Sequence, residues 1–170
     1  MKKTLLLVRH AKAEDQSKML KDFDRELVGR GIMNAARLGY FLKAEGVVVD
    51  RITCSGAART HQTAKIIAEQ LKFDTEHIDV SEKLYSGGPQ AYLATINTTP
   101  ESVQTLLVCG HNPDISYFTE YLTHDTIGSM EKCSMATVEF DDLSWAEVSA
   151  NTGTLKGYLT PQALKERGEG

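Results

Sequence analysis

Arg9-His10, Arg59 and His111 are the residues of this 170-residue chain whose types could do chemistry together. Each stands where a short apolar run stops. Leu5 to Val8 ends at Arg9-His10, Leu106 to Cys109 ends at Gly110-His111, and Ile52 to Cys54 runs through Ser55-Gly56 to Arg59-Thr60. Two guanidinium groups converging on one point match the oxygens of a phosphoryl group, because each donates paired hydrogen bonds in a fixed fork. A neutral imidazole beside them can attack phosphorus in line, giving a covalent phosphohistidine that water then hydrolyses. Neighbouring cations disfavour the imidazolium and keep His10 nucleophilic near neutral pH. His111 cannot be a second nucleophile at the same phosphorus, so its expected part is a hydrogen bond to the equatorial oxygens. The expected ligand is a phosphate ion or a phosphoryl group.

Those residues need a scaffold that gathers strand ends. Apolar runs of strand length alternate with helical patterns, which predicts an α/β fold: a three-layer sandwich with a mostly parallel central sheet flanked by helices. Val28 to Glu45 places Ile32, Ala35, Ala36, Leu38, Gly39 and Leu42 at helical spacing, and Gly46 reads as its C-cap. Val47 to Val49 and Arg51 to Cys54 lead to a second helix carrying Ala64, Ile67, Ala68 and Leu71, with Arg59 in its first turn. Ile78 to Val80 is a short strand, a helix starts near Pro89, and Asn112-Pro113-Asp114 reads as cap, first residue and early acid of another. Alternation over Thr137 to Phe140 and Thr154 to Leu159 predicts an antiparallel edge near the C-terminus; the Trp145 region is ambiguous, and residues beyond Pro161 read as a short helix or a loose tail. In such sheets ligands bind outside the carboxyl ends of the strands, where Arg9, His10, Arg59 and His111 fall.

Length predicts one domain over residues 1–170. The net charge of −4 gives no basic face for a nucleic-acid backbone. No apolar run approaches a membrane span, and Arg9 interrupts the first one before it reaches signal-peptide length, so a cytoplasmic protein without a membrane partner is expected. Cys54, Cys109 and Cys133 lack CxxC spacing and read as buried packing groups, although the first two lie near strand ends where an oxidant could act. No metal-ligand spacing or P-loop is present, so no metal or cofactor is expected. His61, His77 and His124 read as surface or packing histidines.

The ordered set Arg9-His10, Arg59 and His111 resembles the histidine phosphatase superfamily, whose first strand ends in Arg-His and which carries a later arginine and a later histidine. Ala11 in place of the usual glycine, the short chain and Asp24-Arg25-Glu26-Leu27 ahead of Gly31 look most like the SixA-type phosphohistidine phosphatases. The resemblance implies that His10 is phosphorylated and that Arg25 lies near the pocket mouth, although the family's common proline after it is Glu26. The acid-phosphatase branch has an aspartate directly after the second histidine, where Asn112 stands; the mutase branch has an upstream glutamate, for which Glu82 is loosely comparable. Asp114 reads instead as a helix-start charge. An alkoxide leaving group needs a general acid, whereas imidazole, with an unperturbed pKa of about 6.5, departs without a strong one.

The expected activity is therefore hydrolysis of phosphohistidine on a signalling or phosphotransfer protein. Short connections around the pocket leave it open to such a protein substrate. The alternatives are a small-molecule phosphomonoesterase or mutase using Glu82 as acid, and a non-catalytic module that binds a phosphorylated ligand.

Overall fold

Leu5 to Val8 are wholly apolar because their strand is covered on both sides. Leu5 and Leu7 join one core cluster, and Leu6 and Val8 join another on the opposite face. Leu106 and Val108 alternate with Leu107 and Cys109 in the same way, as strands buried on both faces do. The computed structural model describes residues 1–168.

Six strands form one sheet: β1 (Lys2–Arg9), β2 (Arg51–Ser55), β3 (Asp79–Ser81), β4 (Thr105–Gly110), β5 (Met135–Asp141) and β6 (Thr154–Leu159). Their spatial order is β3-β2-β4-β1-β5-β6. The pairs β2·β3, β2·β4 and β1·β4 are parallel, while β5 runs antiparallel to both β1 and β6. The fold is thus the predicted α/β sandwich, with β5 and β6 forming the antiparallel margin and β6 at its edge. Two helices, α1 (Gly29–Ala44) and α2 (Ala58–Leu71), cover one face, through Ala35, Leu38 and Leu42 of the first and Ala64, Ile67 and Ala68 of the second. The one-turn α3 (Lys83–Ser86) precedes α4 (Pro89–Asn97) and α5 (Asp114–Thr123), and these pack with Trp145 on the other face. The C-terminal α6 (Pro161–Gly168) lies against α1. No helix among the described residues is long and apolar enough to cross a membrane.

Local rules account for most boundaries. Gly46 takes φ +74°, and Val47 N–H donates to the Leu42 carbonyl at 3.0 Å, which closes α1 as a glycine C-cap should. That cap also removes Val47 to Val49 from the sheet: the chain is still turning there, Val48 is exposed, and β2 starts only at Arg51. Ile32 is likewise exposed, because Gly31 faces the core in its place. A Cβ at Gly31 would collide with the Lys12 backbone, so glycine lets α1 approach the loop that follows His10.

Three further expectations are corrected or resolved. Asn112 does not cap α5, which begins at Asp114; its side chain donates to Ser129 Oγ and the Met130 carbonyl, tying down the segment before β5. Trp145 sits in a 3-10 turn capped by Ser144 and Glu147, fully buried, its indole N–H donating to the Val103 carbonyl at 2.7 Å. All three cysteines are buried free thiols; burial pushes those of Cys54 and Cys133 up to about 12 and that of Cys109 well above its usual value, so they stay protonated and unreactive.

Candidate active site

Parallel pairing brings the three apolar runs to a common level. Arg9 registers with Gly110 across β1·β4 and Cys54 with Cys109 across β2·β4, so Arg9, Ser55 and His111 emerge side by side at the carboxyl edge. A cavity of about 530 Å³ opens there, lined by Arg9, His10, Arg59 and His111 together with Asp22, Arg25, Tyr85, Asn112 and Lys132. Free N–H groups at the start of α2 add a positive dipole end near Arg59.

His10 is buried, and its Nδ1 lies 2.8 Å from the Ala11 carbonyl. A carbonyl only accepts, so Nδ1 carries the proton and Nε2 keeps its lone pair; among the described residues Nε2 has no protein partner. Burial, together with His111, Arg59 and Arg9, lowers its pKa to about 3 against the opposing Ala11 carbonyl, leaving the ring neutral at pH 7. The His111 ring lies 5.4 Å away, tilted by 57°. Its Nε2 is 2.7 Å from Ser55 Oγ, and that oxygen already accepts from Ala57 N–H. If the Ser55 hydroxyl donates to Nε2, His111 Nδ1 carries the proton and can donate to a ligand. Burial and the two arginines lower the His111 pKa to about 4, with Asp22 opposing.

The backbone is anchored as carefully as the rings. His111 N–H donates to the Tyr92 hydroxyl at 2.9 Å. A Cβ at Gly110 would strike the Tyr92 ring and hydroxyl, so glycine at the end of β4 is what admits this contact. Thr63 of α2 links two site elements, its hydroxyl donating to the Arg59 carbonyl at 2.7 Å and accepting from Ala11 N–H at 3.0 Å.

Arg59 is buried, and Arg9 is held by a 2.8 Å bond from Nη1 to the Met130 carbonyl. The Nε of each guanidinium is buried without an acceptor among the described residues. Unmatched buried donors are costly, and a bound anion would relieve the positive charge they carry.

The profile of the histidine phosphatase superfamily (branch 1) matches residues 5–85. SixA from Nakamurella multipartitia is 26% identical, with a TM-score of 0.79 over 95% of this chain and 97% of that one. The sequence over its first half, and the fold over almost its whole length, are similar to those of the histidine phosphatase superfamily. A Mycobacterium tuberculosis protein is 29% identical over 164 residues, 91% of this chain and all of its own length. The fold likeness extends to the protein histidine phosphatase SixA complexed with tungstate, at 22% identity and a TM-score of 0.82 over 95% and 99% of the two chains. It extends also to a mycobacterial glucosyl-3-phosphoglycerate phosphatase, at 14% identity and a TM-score of 0.69 over 92% and 98%.

The structure separates the two subsidiary candidates. Arg25 reaches the pocket mouth, where Nη1 pairs with Asp22 Oδ1 at 2.8 Å and Nε donates to the Glu14 carbonyl at 2.7 Å. Glu82 does not reach it: the residue precedes α3 with an exposed side chain, and the pocket wall on that side is Tyr85. Among the other histidines, His61 is half-buried on α2, His77 is exposed, and His124 caps α5 in the left-handed region; none lines the pocket.

Asp22 is the principal residue that sequence reasoning missed. It pairs with Arg59 at 3.0 Å, Arg25 at 2.8 Å and the Tyr85 hydroxyl at 2.6 Å, and its own carbonyl accepts from Arg59 Nη1 at 2.7 Å. Hydrogen bonds from Tyr85, Arg25 and Arg59 outweigh burial and hold its carboxyl well below the usual carboxylate range. The only available clue was its position three residues before Arg25, and nothing local says that this turn folds over α2. Tyr85 and Lys132 gave no sequence signal at all.

Proposed function

We propose that this protein hydrolyses phosphohistidine displayed on a signalling or phosphotransfer protein, with His10 as the phosphoryl-accepting nucleophile. Arg9 and Arg59 clamp the phosphoryl oxygens, His111 donates to an equatorial oxygen, and Arg25 steadies the mouth. His10 Nε2 attacks phosphorus, the P–N bond to the substrate imidazole breaks, and the departing nitrogen takes a proton from water. A second water then displaces the phosphoryl group from His10 as inorganic phosphate and restores the neutral ring.

One observation carries the choice of a P–N bond over an ester. The carboxylate that lines the pocket, Asp22, is held ionised by Arg59, Arg25 and Tyr85, and Glu82 lies outside. An ionised carboxylate has no proton for an alkoxide, whereas imidazole leaves without one. The likeness to SixA structures supports the same substrate class. Arginines carry the phosphate charge in this scheme, with no metal or cofactor, so a chelator should leave the rate unchanged. Three free cysteines support a reducing, cytoplasmic setting. The single sheet supports residues 1–170 acting as one domain.

The test is to mix the protein with a labelled phosphohistidine protein and quench in alkali. Acid-labile label should appear on the parent and vanish in His10→Ala; its absence from the parent would favour a module that only binds phosphorylated ligands. The fold shared with a phosphatase of a phosphorylated sugar acid keeps a second reading in play. A far higher kcat/KM on a small sugar phosphate than on phosphohistidine would establish it.

A further inference from the structure

Beside the phosphate pocket, and sharing Arg9 and Lys132 with it, runs a larger groove of about 840 Å³. Its walls are one face of α1, the start of α6 and the segment before β5. Arg30, Met33, Asn34 and Arg37 follow one another at i, i+3, i+4 and i+7, which puts all four on a single stripe of α1. Lys12 and Lys165 complete a lining of six cations, with Arg9, Arg30, Arg37 and Lys132, against one carboxylate, Glu131.

This concentration is unlike the rest of the molecule. The chain as a whole carries −4. Elsewhere Lys2 pairs with Glu139, Lys3 with Glu101 and Arg51 with Asp79, and lysines unpaired among the described residues, such as Lys18, Lys65 and Lys83, line neither this groove nor the pocket. Among the described residues, no carboxylate lies within ion-pair distance of Lys12, Arg30, Arg37, Lys132 or Lys165. The one side-chain bond of Arg37 among the described residues is to the neutral Asn34 amide, at 3.4 Å.

From this we infer that the groove docks an acidic segment of the protein that carries the phosphoryl group, alongside the phosphorylated residue seated in the pocket. The inference rests on the phosphohistidine-protein reading and deepens it. A polypeptide suits the lining better than a compact polyphosphate. The cations are distributed over the end of β1, the loop after it, α1, the segment before β5 and α6 instead of converging as arginine forks, and three of them are lysines, point charges on flexible stems that suit separated carboxylates. Between them, Asn34 and Gln162 present amides able to pair with a peptide backbone, and exposed Met33 offers apolar contact. Uncompensated positive charge along a groove raises the capture rate of a negative partner and makes it salt-dependent.

The test has a binding arm and a kinetic arm. In the first, the intact protein is titrated into a fluorescently labelled Glu- and Asp-rich peptide without any phosphoryl group. Binding should weaken steeply with salt, fall about tenfold in Arg30→Glu/Arg37→Glu and in Lys165→Glu, and stay unchanged in Arg51→Glu. In the second, the groove variants should lower kcat/KM on an acidic phosphohistidine protein about tenfold, chiefly through KM, and leave a small phosphoramidate within about twofold. Equal peptide binding by parent and groove variants, or displacement of the peptide by inorganic polyphosphate at matched charge, overturns the inference. If the parent hydrolyses neither phosphohistidine probe, the phosphatase reading fails while the binding arm still decides the groove.

Discussion

The phosphate pocket and the groove beside it are both cationic, yet they hold their charge in opposite ways. In the pocket Arg59 is buried and Arg9 half-buried, with carbonyls of Asp22 and Met130 fixing their directions before any ligand arrives. In the groove Lys12, Arg30, Lys132 and Lys165 are exposed, and no partner among the described residues orients them. Fixed donors in a poorly hydrated site suit a geometry that exists only during phosphoryl transfer, whereas mobile charges in water suit the approach of a partner. The comparison teaches that the same residue types can serve chemistry or encounter, and that burial decides which.

Substitutions can break that distinction. The largest effect is expected for His10→Ala, which removes the proposed nucleophile and should cut turnover by at least about 10⁴-fold, measured as phosphate release. Arg59→Ala should cost about 10² to 10³ in kcat, the usual loss when one preorganised donor is removed, and any effect confined to KM would place Arg59 with the groove cations instead.

Acid should affect the pocket and spare the groove. His10 and His111 have folded pKa values of about 3 and 4, below the unfolded value of 6.5. Below pH 6.5 the unfolded chain therefore binds protons that the folded one does not. Stability is fully present above that pH and is lost as pH falls, toward about 3 for His10 and about 4 for His111, at about 1.4 kcal/mol per pH unit for each histidine. Urea unfolding at pH 7 and pH 5 measures it, and ring nitrogen NMR shifts should still show the neutral Nδ1–H form of His10 at pH 5.

Two smaller effects sharpen the pocket's boundary. Asp22→Asn removes the carboxylate that competes with ligand for Arg25 and Arg59, so inorganic phosphate should inhibit about threefold more tightly, as suits a partly exposed pair. Glu82→Gln should change kcat by less than about twofold on phosphohistidine and ester substrates alike, since the side chain faces solvent. A large loss on esters alone would restore it as an acid.

Much of the scaffold was legible because burial leaves local marks. Leu5 to Val8 and Leu106 to Cys109 had to be covered strands, since nothing else tolerates such runs so close to charge. Gly46 had to stop a helix. The errors were of one kind. Val47 to Val49 are β-branched residues that favour strands, yet the cap before them dictates a turn. Asn112 read as a cap because its neighbours Pro113 and Asp114 suit a helix start, yet its amide was taken by Ser129 and Met130. Glu82 is the loose counterpart of the upstream glutamate that the family resemblance implies, and a resemblance of position does not reveal which way a side chain before a one-turn helix points.

By itself, the sequence determined that arginine and histidine would stand at the ends of covered strands, because apolar periodicity records how each segment is buried. Only the tertiary structure decided that β4 lies between β1 and β2, which turns three separate ends into one cavity. It also folded Asp22 onto Arg59, joined Ala11 to Arg59 through Thr63, and set α6 beside α1 to make the groove. Such pairings depend on register and packing between segments tens of residues apart, and local patterns carry almost no record of them.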